Sequence, residues 1–519
     1  MTHLMARGGP PDRRGPRRDA HASCKGRNAA GGPPRAIKWV MINAPWYKIP
    51  SVVRVSRAMR SPISRRNFLL GSGAAIVAGG LHLGTEAVEP LQMRSRVTSY
   101  AFDGPDTRGL VSLSDNAPPP LVRLRQGEPA VIDLTNGLDD YTTMHWHGIR
   151  LANEMDGVPY LTQFPIGKDE TFRYAFTPPD AGTYWYHPHC MTMRQMAHGL
   201  TGILIVEEPR DIGFDEDLAL NLKDFRLDDE GQLLPFFTPR GAARGGTLGN
   251  TRTTNWKIDP RYDVPAGGLL RLRFVATDTT RVYKLVLPDL PGKVIAWDGH
   301  PVNEPVPWPT EERPLWVGPG QRVDIALRMP DDEGVDVPLS HSIGRRLPAL
   351  ARLRSVGKSM NRDLAELRPL PANPLAQPKL AAAEVRELVF GWSPDGNGQR
   401  NGLCGSNAYS FWSIDRKPWP GDAVENVGPV AELELGKSYI LRLRNESPNL
   451  HPIHLHGLAF LPVRSNQRPL PRNWTDTILL MRNEIVDIAL VADNPGDWAF
   501  HCHVIEHQKT GLSGYLRVS

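Results

Sequence analysis

His501-Cys502-His503-Val504-Ile505-Glu506-His507 stands close to the end of the chain. In an extended strand successive side chains point to opposite faces, so the two histidines flanking Cys502 share one face and the thiol takes the other. If those histidines serve one metal centre, Cys502 must serve another. This short segment therefore asks for a β-strand that separates two metal sites.

Three further clusters support that reading: His145-Trp146-His147-Gly148, His187-Pro188-His189, and His451-Pro452-Ile453-His454-Leu455-His456-Gly457. Together the four clusters hold ten of the sixteen histidines. Each His-x-His pair sets two imidazoles side by side on a strand face, and four pairs make eight imidazoles. One zinc would use about four ligands and leave the rest unexplained, whereas eight neutral imidazoles suit a cluster of several borderline ions such as copper. His451 and His507 remain as neighbours for Cys502. Two histidines and one cysteine with a weak or absent axial ligand make a blue copper site.

From about residue 95 onward the chain consists of short β-branched and aromatic runs separated by Gly, Pro, Asn and Asp. Examples are Ala130–Leu134, Leu200–Val206, Leu270–Phe274, Val323–Leu327, Ser438–Leu443 and Ile485–Val491. This is an all-β pattern of sandwich or barrel type. At 519 residues the chain exceeds what one hydrophobic core supports. Breaks near 207–212 and in the Pro/Leu/Ala-rich region 367–382 predict an N-terminal extension over 1–94 and three domains over 95–210, 211–375 and 376–519.

The net charge of +5 is unevenly spread. Residues 1–66 hold 15 Lys and Arg against Asp12 and Asp19, which leaves 46 basic and 54 acidic residues, a balance of −8, for the remainder. An acidic body argues against nucleic acid as a partner. No stretch reaches the roughly 20 apolar residues of a membrane span. Ser64-Arg65-Arg66-Asn67-Phe68-Leu69, followed by an apolar run from Leu70 to Leu83, is similar to a twin-arginine export signal. Periplasmic export through that machinery is the expectation, with Met59 as initiator and cleavage near Ala87. Of the four cysteines, Cys24 lies in the segment to be removed and Cys502 is claimed by metal, so Cys190 and Cys404 are the pair that could bond. Buried free thiols are common, and they are the expectation here. Met191, Met193 and Met196, which follow Cys190, read as packing rather than as a Cu(I)-loading site.

The four motifs resemble those of the multicopper oxidases, laccase-like proteins of three consecutive cupredoxin-like Greek-key β-sandwich domains, from about Val97 to the C-terminus. Asn153-Glu154-Met155-Asp156-Gly157-Val158-Pro159, Pro319-Gly320-Gln321-Arg322-Val323-Asp324 and Trp474-Thr475-Asp476-Thr477 are similar as well. The resemblance implies four coppers per chain. His145 and His454 would hold the type 2 ion. His147, His187 and His503 would hold one type 3 ion, with His189, His456 and His501 on the other. His451, Cys502 and His507 would hold the type 1 ion, with Leu512 at its axial position where several bacterial relatives have Met. Asp156 and Glu506 match acidic positions that deliver protons in the family. Electrons would pass from a small-molecule or metal-ion reductant through Cys502 to dioxygen, which leaves as water. Dedicated Cu(I) oxidases of the family tend to carry Met-rich segments, but domains two and three here hold only Met329, Met360 and Met481, singly. Electron-rich phenols or similar aromatics are therefore the expected donors, with Cu(I) or Fe(II) as the alternative. His300 and His341 read as ordinary structural or surface residues.

Overall fold

All six runs read as strands fall on strands. Ile485–Val491 is unchanged, Ala130–Leu134 lies within Ala130–Asn136, Leu270–Phe274 lies within Leu269–Ala276, and Leu200–Val206 starts two residues ahead of Gly202–Glu207. The computed structural model describes residues 88–394, 404, 409–422 and 427–519. Met59, the twin-arginine segment and Ala87 lie outside the described residues.

The described strands form six sheets. Two four-stranded sheets are built between Leu91 and Glu207, a six- and a five-stranded sheet between Glu216 and Val356, and two five-stranded sheets between Glu384 and Val518. Between the sheets of each pair lies a separate apolar core. The first includes Ile132, Leu134, Trp146 and Tyr174, the second Leu272, Phe274, Ile325 and Leu353, and the third Leu441, Ile453, Ile488 and Phe500. Alternation produces this arrangement: strand Ser438–Asn445 buries every second residue, with the intervening ones half-buried. The chain is thus all-β, with three consecutive cupredoxin-like sandwiches. Among the described residues no helix is long and apolar enough to cross a membrane.

The expectation of free thiols at Cys190 and Cys404 is corrected. The two form a disulfide across 214 residues, with Cα atoms 4.4 Å apart, and the Met191 N–H donates to the Cys404 carbonyl at 3.1 Å. Buried sulfur alone cannot tell a thiol from a disulfide, and the proximity of this pair arises only from the packing of the first and third domains. Met193 and Met196 are buried in an apolar cluster with Trp185 and Ile505, in keeping with a packing role.

Candidate metal centre

Strand register sorts the ligands. Strand His451–Leu455 pairs antiparallel with Gly496–Cys502, so that His454 lies opposite His501 and Ile453 opposite Cys502. Directly opposed residues share a face, which places His454 with His501 on one side of the sheet. His451, two residues before Ile453, falls on the other side with Cys502. In the first domain His145 lies opposite His187, and His147 follows on the same face.

On the Cys502 side, the Cys502 Sγ is 3.6 Å from both His451 Nδ1 and His507 Nδ1, which are 3.1 Å from each other. His507 donates its Nε2–H to the Arg244 carbonyl at 2.6 Å. The Ser447 hydroxyl is committed to Asn445 Oδ1 at 2.9 Å and therefore accepts from His451 Nε2 at 2.8 Å. Both Nδ1 atoms are left as bare lone pairs facing each other and the sulfur. Three such donors suit one first-row ion with bonds of about 2.0–2.3 Å. Burial pushes His507 down to about 3 and drives His451 well below its ordinary range, so both imidazoles are neutral, as ligation requires. Burial pushes the Cys502 thiol up, an effect that a bound cation reverses. Leu512 is fully buried and is tied by backbone bonds to Cys502 and His507, and its side chain offers no donor atom.

On the opposite side, eight histidines converge between the first and third domains, each at most 4% exposed. His147 stacks on His454 at 3.7 Å and His145 on His456 at 3.8 Å. The ligand atoms gather into close groups: His147 with His187 and His503, His189 with His456 and His501, and His145 with His147 and His454. In His145, His187, His454, His456 and His501, Nδ1 donates outward to an oxygen, and so Nε2 is the bare nitrogen that faces inward. The Nε2 atoms of His145, His187 and His454 have no partner at all. Those of His456 and His501 stand 3.0 Å apart, two lone pairs that cannot bond each other. A cation is what such an arrangement lacks.

Carboxylates fix these orientations. Asp156 bridges the first and third domains: its main-chain carbonyl accepts from His145 Nδ1 at 2.9 Å, with its carboxylate 3.1 Å from the same nitrogen, and the carboxylate accepts from His456 Nδ1 at 2.9 Å. Asp476 meets His147 Nε2 at 3.2 Å and His454 Nδ1 at 3.3 Å. The buried Arg322 clamps Asp476 with bonds of 2.8 and 2.7 Å. Burial alone would raise the Asp476 pKa, but Arg322 and the two imidazoles overcome it and hold the carboxyl well below its ordinary range. Asp298, beside Arg322, is pushed up to about 7, chiefly by burial. The second domain holds none of the grouped histidines, yet it presses on the centre. A Cβ on Gly320 would sit 3.1 Å from both His147 and His503, and one on Gly148 would sit 2.4 Å from Arg322. Sequence reading noted the Pro319–Asp324 and Trp474–Thr477 motifs, but not that Arg322 and Asp476 form one clamp.

Glu506 is bonded on the side away from the cluster. Its carboxylate accepts from the Thr238 N–H at 3.3 Å, from the Thr247 hydroxyl at 2.8 Å and from the Thr247 N–H. Among the described residues it makes no hydrogen bond to a cluster histidine. Burial raises its pKa and the threonine bonds partly offset that. Gln508 is the residue that reaches the cluster, with Nε2 3.3 Å from His189 Nε2. In helix Ile505–Lys509 each residue turns about 100°, so 506 and 508 point to nearly opposite sides. His300 and His341 are both buried, bonded to Asn373 at 2.9 Å and to the Lys284 N–H at 2.9 Å respectively, which makes them structural.

Two family models described as multicopper oxidase match residues 95–211 and 404–519. A crystal structure of a multi-copper oxidase from Pseudomonas thermotolerans is 38% identical, covering 83% of this chain and all of that one, with a TM-score of 0.74. The chain belongs to the multicopper oxidase family. A second such structure, from Pseudomonas parafulva, is 39% identical, covering 83% of this chain and all of that one, with a TM-score of 0.72. The multicopper oxidase MmcO of Mycobacterium tuberculosis is 28% identical over 505 residues, which is 87% of this chain and 96% of that one. A multicopper oxidase of this laccase-like kind binds four coppers, one type 1, one type 2 and two type 3, and passes electrons from a reductant to dioxygen. The bare, inward-facing nitrogens and the buried thiol fit that demand.

Proposed function

We propose that the three-donor group His451, Cys502 and His507 holds the type 1 copper and that the eight-histidine centre holds the other three. His145 and His454 would serve the type 2 ion, His147, His187 and His503 one type 3 ion, and His189, His456 and His501 the other. The carrying observation is the set of buried imidazole nitrogens with bare lone pairs and no partner. Bound there, the coppers supply one-electron acceptance and the reduction of dioxygen to water. The chain's own part is positional. Cys502 is joined through the main chain to His501 and His503, so the two centres are linked by one short covalent path. Asp156 and Asp476 fix the tautomers of four ligands, and burial keeps water from the centre. Asp156, on two of those ligands, is also the acid we assign to proton delivery. Leu512 has no donor atom, so a copper held by His451, Cys502 and His507 would have three protein ligands and, with them, a raised potential.

We further assign electron-rich phenols or similar aromatics as donors in preference to Cu(I) or Fe(II). This rests on that raised potential and on the burial of Met193 and Met196. Oxygen consumption by the fully loaded enzyme with each class compares them, and a roughly tenfold preference in kcat/KM for a metal ion overturns the assignment. Export to the periplasm through the twin-arginine route is proposed from the Arg65-Arg66 segment, and the Cys190–Cys404 disulfide suits an oxidising compartment. Replacing both arginines with lysine is expected to retain the protein in the cytoplasm, and fractionation checks it. The domain limits 95–210, 211–375 and 376–519 are proposed on the separation of the three cores.

A further inference from the structure

Neither type 1 imidazole offers an edge to a donor. His507 and His451 are both 0% exposed. The outer nitrogen of His507 is capped by the Arg244 carbonyl, and that of His451 by the Ser447 hydroxyl. The cap over His507 belongs to the segment around helix Pro239–Ala242, which Glu506 holds through Thr238 and Thr247. The same segment is pinned by the Trp412 indole N–H, which donates to the Ala242 carbonyl at 2.7 Å.

Trp412 is the group that continues outward. It is fully buried, and its ring lies 4.6 Å from that of His507 and 5.0 Å from that of His451. Its cross-strand partner in the edge strand Trp412–Ile414 is Trp392. The two indoles stack at 4.2 Å with an interplanar angle of 18°, and Trp392 is 45% exposed. Two conjugated rings in face contact thus run from solvent to both imidazoles. An exposed Trp of this kind costs burial energy that a Lys or Thr at the strand edge would not.

We propose that Trp392 is the docking and electron-intake surface for aromatic reductants, with Trp412 as the bridge to the type 1 ligands. This rests on the assignment of His451, Cys502 and His507 to the type 1 copper. An electron-rich ring stacks on the open face of Trp392. One electron leaves the phenol and reduces the ion at Cys502 from the +2 to the +1 state. The phenol loses its hydroxyl proton to solvent and departs as a neutral phenoxyl radical. Both indoles end the step unchanged. The Arg244 peptide is the rival path, but it presents only a carbonyl whose oxygen is already bonded to His507.

The test uses the copper-loaded enzyme mixed anaerobically with 2,6-dimethoxyphenol, with bleaching of the blue band followed by stopped flow. Trp392→Leu is expected to slow bleaching about tenfold while the blue absorption and type 1 potential stay unchanged, and Trp392→Phe, which keeps a stacking face, to fall between it and the parent. In copper-free protein the same phenol is expected to shift the indole N–H resonance of Trp392. An unchanged bleaching rate in Trp392→Leu overturns the proposal. So does a slowed rate with a displaced potential, because the indole would then act on the ion's surroundings. Slowing by Arg244→Glu with Trp392→Leu silent would move the intake to the rival path. Absence of the blue band from the loaded parent enzyme would sink the ligand assignment, and this proposal with it.

Discussion

The two metal centres share strand Gly496–Cys502 but are built on different principles. The Cys502 side is set into the core of the third domain, among Ile453, Val504 and Leu512, and one backbone carbonyl, that of Arg244, reaches its ligands from outside that domain. The eight-histidine side lies between domains and depends on all three. The first domain provides His145, His147, His187, His189 and Asp156, the third provides the other histidines and Asp476, and the second provides the Arg322 clamp and the close approach of Gly320. One centre is held by a core, the other by an interface. Damage to a core residue should therefore stay local, whereas damage to the clamp should spread across the domain junction.

The largest effect expected is that of Cys502→Ser, which removes the sole thiol of the described residues outside the disulfide. Blue absorption and nearly all oxidase activity are lost, yet metal analysis still finds about three coppers per chain, because the interface centre is intact. Loss of all four would show that the two centres are not separable. Arg322→Ala is the complementary cut. It leaves the Asp476 carboxylate buried without its cationic partner, at a cost of about 3–5 kcal/mol. Thermal unfolding is expected to shift down, with copper lost from the interface while the blue band persists. Asp156→Ala frees His456 and takes the carboxylate from beside His145, which keeps its bond to the main-chain carbonyl, and should lower copper retention or turnover about 10–100-fold, with the blue spectrum unchanged. The smallest effect is that of Leu512→Met, which supplies a weak axial thioether and lowers the type 1 potential without altering copper content. A redox titration that finds the potential unchanged or raised would remove Leu512 from the axial position.

The histidines were legible in the sequence because a strand has a period of two. His145 with His147 and His501 with His503 declare a shared face without any knowledge of tertiary structure. Alternation also told Cys502 apart from its neighbours. What stayed hidden depends on other geometry. Glu506 and Gln508 sit in five residues of helix, too short for a periodic pattern, and their directions are set by the turn of that helix. Arg322 and Asp476 are 154 residues apart, and Cys190 and Cys404 are 214 apart, so only domain packing makes them neighbours. The stack of Trp392 on Trp412 required the strand register.

The division of ligands between the first and last domains also sets a clock on biosynthesis. His145 and His503 are separated by 503 − 145 = 358 residues. At about 5–20 residues per second, the first imidazoles leave the ribosome roughly 20–70 s before the last. The interface pocket cannot close in that interval, because its other half does not yet exist. A copper ion met by the growing chain would find the first domain's His145, His147, His187 and His189, but none of the three histidine groups complete, because each takes at least one member from the third domain. The histidine groups are thus complete only once the third domain has been made.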